Sequence, residues 1–220
     1  MLVNFVYDEE MDISCLLTIG PGSTNSPGVQ TNTYLELLSS VNDISDKEMV
    51  RQFIRKFIID NNIDVSGSVN QIQKNWRSIE SEFQTRAEKV FGVKLTGKIT
   101  GYLTITGRFP YGTDYFYVSA KSPSRAVNIA AHEIWHLYTW KKFGISESVI
   151  GEERYNEIKE SLSVILNPEC GDLLTKNDEG YPQHTELRKQ ILDKWILTKN
   201  IETVWKCALE YTENTQIINK

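Results

Sequence analysis

The 220-residue chain is predicted to be an α+β protein. The expectation is a small twisted β-sheet, with an edge strand just before its most distinctive helix, and a mostly helical C-terminal half. Three observations lead there. Apolar residues recur with a period near 3.6 over about residues 47–91, switch to a period of 2 around residue 100, and return to 3.6 from residue 122 onward. The period-2 stretches "GKITGYLTI" and "TDYFYVSA" are rich in Thr, Tyr, Phe, Val and Ile, the residues that suit a pleated surface. Everything after them reads as helix, which segregates the two kinds of element.

Taken in order, "LVNFVY" and "SCLLTI" are short apolar segments suited to pairing as strands. "GPGSTNSPG" follows as a surface loop; it lacks the Gly-Lys-Ser/Thr ending of a phosphate cradle. Ser45 and Glu48 form a capping-box pair ahead of the helical "KEMVRQFIRKFII". A charged helix is expected over about 69–91. The two β-rich stretches flank the turn-like "GRFPYG" and read as a hairpin. "KSPSRAV" then opens a helix, with Ser122 or Ser124 as N-cap, Pro123 near its start and Gly144 at its close. "ERYNEIKESLSVILN" is a further helix stopping at Pro168, and "HTELRKQILDKWIL" and "IETVWKCALEYTE" complete the chain.

Composition narrows the function classes. A net charge of −5 and a pI near 5.4 argue against nucleic acid as a partner, because that needs a basic surface. No apolar run approaches the roughly 18 residues of a membrane span. "MLVNFVYDEE" has no basic leader region, and Cys15, Cys170 and Cys207 are sparse and far apart. Reduced thiols in a cytoplasmic protein are the expectation.

The distinctive helix carries "NIAAHEIWHLYTW". Positions i and i+4 share a helix face, so His132 and His136 can aim both imidazoles at one metal ion. Glu133 lies about 100° round the helix, able to reach a metal-bound water without ligating the metal. The surrounding Ile129, Ala130, Ala131, Ile134, Trp135, Leu137 and Tyr138 are uncharged, as a helix buried beneath a cleft requires. Trp135 and Trp140 are expected to pack in the core or between helices.

A third ligand is sought on the next helix, where Glu157 and Glu160 qualify. From Glu160 the apolar Leu162, Ile165 and Leu166 fall on the far side of the helix; from Glu157, Ile158 and Ile165 fall on the flank, only about 80 to 100° away. Geometry favours Glu160, with Glu157 as the alternative.

"IAAHEIWHLY" resembles the active-site helix of the zincin metallopeptidases. Thr139 and Lys142 stand where the metzincin branch has a glycine and a third histidine. The gluzincin branch, which includes the thermolysin-like enzymes, takes a glutamate from the following helix instead, and "KESLSVIL" resembles that helix. Asn156-Glu157 copies the start of the thermolysin-like Asn-Glu-x-x-x-Asp, but Ser161 replaces its aspartate, and Val164 holds the matching place after Glu160. The carboxylate that would orient a ligating histidine is therefore not visible.

The resemblance, which covers about residues 113 to 166, implies a single zincin-like domain over 1–220. Residues 1–95 would hold strands and two helices, 96–167 the hairpin, motif helix and ligand helix, and 168–220 the C-terminal helices. It implies Zn2+ as cofactor, Glu133 as general base and a peptide or protein as substrate. In such enzymes a downstream tyrosine or histidine commonly stabilises the oxyanion, which singles out His184, Tyr181 and Tyr155. The strand before the motif helix pairs with extended substrate in zincins, which singles out Tyr115, Tyr117 and Ser119. The alternative is a non-catalytic binding or regulatory module on the same scaffold. A cysteine hydrolase is a weak third reading, because no cysteine has an activating motif.

Overall fold

A computed structural model describes residues 1–18, 32–40, 45–105 and 111–218. The fold is α+β and mostly helical, with one small sheet. The expected loop "GPGSTNSPG" lies outside the described residues, as does most of "GRFPYG". The chain forms two compact units: residues 1–78 with 97–130, and residues 79–96 with 131–220.

The first unit holds the sheet: β1 (Leu2–Val6), β2 (Lys98–Thr104) and β3 (Tyr115–Ser119), in the order β1-β2-β3. Both pairings are parallel. The expected hairpin is thereby corrected. Thr100 pairs with Tyr115, and the Thr100 N–H donates to the Asp114 carbonyl at 2.9 Å, so the connection carries the chain back to the start of β2 before β3 begins. One sheet face is apolar: Val3, Phe5, Ile99, Leu103, Phe116 and Val118 are all buried. Gly101 belongs to that face because a Cβ there would stand 2.6 Å from the Phe5 ring. The outer edge of β1 is closed by Gln73, whose amide accepts from the Phe5 N–H at 3.0 Å and donates to the Val3 carbonyl at 3.2 Å.

Ser14–Thr18 of "SCLLTI" are not a strand but the end of α1 (Glu9–Thr18), and the last residue lies outside the described residues. Asp8 accepts from the N–H groups of Glu10 and Met11, and Glu9, Glu10 and Asp12 fill the first turn, where the helix dipole favours negative charge. Ile13 and Leu16, one turn apart, are buried with Leu37, Val50, Ile54, Phe57 and Ile105. A short apolar run reads equally as strand or buried helix. Next come α2 (Asn32–Ser40), which the sequence reading did not anticipate, and α3 (Lys47–Asp60). The N-cap of α3 is Asp46 rather than Ser45; its carboxylate accepts from the N–H groups of Glu48 and Met49.

α4 (Val65–Phe91) and α5 (Pro123–Phe143) each begin in the first unit and end in the second. α5 opens after Ser122 and stops at Phe143, as expected. The second unit continues with a short 3-10 turn, α6 (Glu147–Ile150), α7 (Glu152–Leu162), α8 (Leu166–Cys170), α9 (Thr185–Thr198) and α10 (Ile201–Ile218). Helix does not stop at Pro168, which sits inside α8. A 3-10 turn over Ser163–Ile165 joins α7 to α8, and a residue in the first turn of a helix has no intrahelical acceptor for its N–H, so proline fits there. No helix among the described residues is long and apolar enough to cross a membrane.

Candidate metal centre

Packing against Phe91 and Leu162 holds the motif helix α5 in place within the second unit. Trp135, fully buried, packs edge-on against Phe91 with ring centroids 4.9 Å apart, and its indole N–H donates to the Leu162 carbonyl at 3.2 Å. Tyr138 stacks on Phe91 at 5.6 Å. Trp140, expected to pack, is 46% exposed. On α7 the buried residues are Tyr155, Ile158, Lys159, Ser161 and Leu162, and Glu160 reaches the two histidines of α5.

His132, His136 and Glu160 come together as a group able to hold a metal ion, with their ligand atoms within 4.8 Å of one another. Glu160 Oε2 lies 3.4 Å from His132 Nε2 and 3.2 Å from His136 Nε2. Glu157, the alternative, is outside this group. His136 is buried, and His132 and Glu160 keep some exposure.

The residue that orients His132 is Asp178, from the loop between α8 and α9, 18 positions after Glu160. Its Oδ1 lies 2.9 Å from His132 Nδ1. That contact favours an N–H on Nδ1, so that the Nε2 lone pair is available to a metal once the ring is neutral. Asp178 is itself held from several sides. Asn167 bonds both its backbone groups, at 2.7 and 3.0 Å. Buried Arg188, on α9, donates to its carbonyl at 2.7 Å and to Oδ2 at 2.9 Å. Ser163 Oγ stands 2.7 Å from Oδ2 and accepts from Arg188 at 2.7 Å. Gly180, with φ of +64°, lies against the guanidinium; a Cβ there would come within 2.5 Å of Arg188 Cζ.

Electrostatics follow from these partners. Burial works against charge on His132, but Asp178 and Glu160 outweigh it and push the imidazole up to about 10. Burial pulls His136 down to about 4, so this imidazole is neutral. Burial opposes ionised Glu160 too, yet the two histidines and Lys159 hold it well below the usual carboxylate range. Glu133, 7% exposed, is pushed up to about 8, chiefly by burial, and its Oε2 has no hydrogen-bond partner among the described residues.

The remaining sequence-predicted residues divide. His184 and Tyr181 lie on the same loop as Asp178, with rings edge-on at 5.8 Å. His184 is partly buried, burial lowers its pKa, and it feels the charge of Glu160. Tyr155 belongs to the core, 2% exposed and tilted on Trp205 at 5.8 Å. Tyr115, Tyr117 and Ser119 line β3, which is an edge strand, in the first unit. Tyr117 and Ser119 are buried, and Tyr117 donates to the Met11 carbonyl at 3.1 Å. Part of the β3 edge is used by the chain itself, since Tyr111 bridges Phe116 and the Gly112 N–H donates to Tyr115 at 2.8 Å.

Sequence reasoning missed Asp178, Ser163, Arg188 and Lys159. Only Lys159 leaves a local trace, as a charge inside the apolar stripe of α7. Comparison with known proteins finds no matching family, no matching curated protein and no matching solved structure.

Proposed function

We propose that the chain is a zinc-dependent peptidase of the gluzincin kind, hydrolysing peptide or related amide bonds. The observation that carries this reading is the convergence of His132, His136 and Glu160 beside a buried Glu133 with an unpartnered carboxylate oxygen. The spacing is compatible with zinc. Bonds of about 2.0–2.1 Å in a tetrahedron put ligand atoms about 3.3–3.4 Å apart, and Glu160 Oε2 stands 3.2 and 3.4 Å from the two Nε2 atoms. Zinc bound there supplies a Lewis acid and a water whose pKa falls toward about 7.

The chain's own groups do the rest. Asp178 keeps the His132 proton on Nδ1, leaving Nε2 as donor to the metal. Glu133, buried with its Oε2 unpartnered among the described residues, is the group that would take a proton from the attacking water and then pass it to the leaving amine. His184, on the same loop as Asp178 and near enough to feel the charge of Glu160, would be the donor to a developing oxyanion. Loading the site must release the proton from His132 Nε2, so uptake weakens as pH falls.

The test is hydrolysis of a broad quenched-peptide library by the zinc-loaded chain and by Glu133→Gln. Turnover in the variant is expected to fall about 10²–10⁴-fold with zinc content unchanged. A wild-type chain that carries stoichiometric zinc but cleaves nothing would favour the non-catalytic module.

A further inference from the structure

Lys159 precedes the ligand glutamate and is 4% exposed. A lysine is almost never buried to that degree unless it is paired. Its Nζ lies 3.1 Å from Glu160 Oε1. The other oxygen of the same carboxylate, Oε2, is the one that faces both imidazoles. The two oxygens are thus divided between a lysine and the metal position. This division has a consequence for coordination. A carboxylate that offers both oxygens adds a fifth donor to the three protein ligand atoms and the water of a catalytic zinc.

We propose that Lys159 is a positioning residue that holds Oε1 away from the metal, so that Glu160 ligates through Oε2 alone and the metal keeps four donors, one of them water. The inference rests on the metal reading above. It requires only an N–H donor on Oε1, so it stands whether the lysine is charged or neutral. Orientation of ligands by partners one layer out is the general way proteins fix metal geometry, and here the partner acts on the carboxylate rather than on a histidine.

Cobalt(II) is the probe, because its visible bands are intense when four-coordinate and weak when five-coordinate. The full chain loaded with cobalt should show the intense form. In Lys159→Met, which keeps the stem and loses the donor, the bands should weaken about twofold or more as the carboxylate chelates. Lys159→Gln, which restores an N–H, should recover intensity toward wild type. A Met variant with wild-type bands overturns the proposal. If the Met variant does not fold, X-ray absorption on the zinc-loaded wild type decides. A coordination shell lacking the short zinc–carbon distance of a chelating carboxylate supports the proposal, and the presence of that distance overturns it. A wild-type chain that takes up no cobalt ends the metal reading and this inference together. One that takes up cobalt in five-coordinate form ends only this inference.

Discussion

Asp12 in the first unit and Asp178 in the second are both aspartates shielded from water, yet their charges are treated in opposite ways. Asp12 is fully buried and accepts from Thr104 Oγ1 at 2.6 Å and the Ile105 N–H at 3.2 Å, both neutral donors. Burial dominates there and pushes the carboxyl up to about 6. Asp178 meets the same opposition from burial, but His132, Ser163 and Arg188 outweigh it and hold the carboxyl well below its ordinary range. Neutral hydrogen bonds soften the cost of desolvation, whereas charged partners reverse it. Within the second unit His132, Glu133, His136, Lys159, Glu160, Asp178 and Arg188 order one another's charge, and that is the setting a metal ligand set needs.

The largest expected effect tests the ligands themselves. Glu160→Ala should lose nearly all bound zinc, while Glu157→Ala keeps it; measured zinc per chain decides, and retention in Glu160→Ala would transfer the role to Glu157. Asp178→Asn should weaken zinc binding by about 10- to 100-fold, the usual cost of removing a partner of a ligating histidine. Competition with a chelator reads this directly, and an unchanged affinity would reduce the Asp178–His132 contact to packing.

The comparison predicts opposite pH slopes for the two aspartates. The folded-state value of Asp12, about 6, lies above the unfolded reference of 3.8, so the folded chain holds that proton more tightly. Its contribution is fully present below about pH 3.8 and is lost as pH rises to 6, at most about 3 kcal/mol from two pKa units at 1.36 kcal/mol each. Asp178 is depressed, so its contribution is present above 3.8 and is lost as pH falls further. Urea midpoints across this range should show the Asp12 decline in the wild type and not in Asp12→Asn; identical profiles would remove the contrast. The smallest effect is reserved for Gly180→Ala. It forces a left-handed residue, costing about 1–2 kcal/mol, and crowds Arg188, which should loosen Asp178 and weaken zinc binding by less than about tenfold.

The sequence by itself determined whatever a single helix can encode. The pitch of α5 places His132 and His136 on one face with Glu133 beside them, and the apolar stripe of α7 turns Glu160 toward them rather than Glu157. The α+β class and most helix spans were legible for the same reason, because a period of 3.6 or 2 is a local property. Strand direction was not legible, because nothing in "GKITGYLTI" or "TDYFYVSA" records which way the intervening chain returns. Nor does an apolar run as short as "SCLLTI" distinguish helix from strand. Only the tertiary structure decided that Asp178, 46 positions from His132, meets its imidazole, and that buried Arg188 and Lys159 stand against the carboxylates of Asp178 and Glu160. Hydrogen bonds and ion pairs act over about 3 Å in space and carry no period along the chain, so the partners of a buried charge become visible only when the fold brings them together.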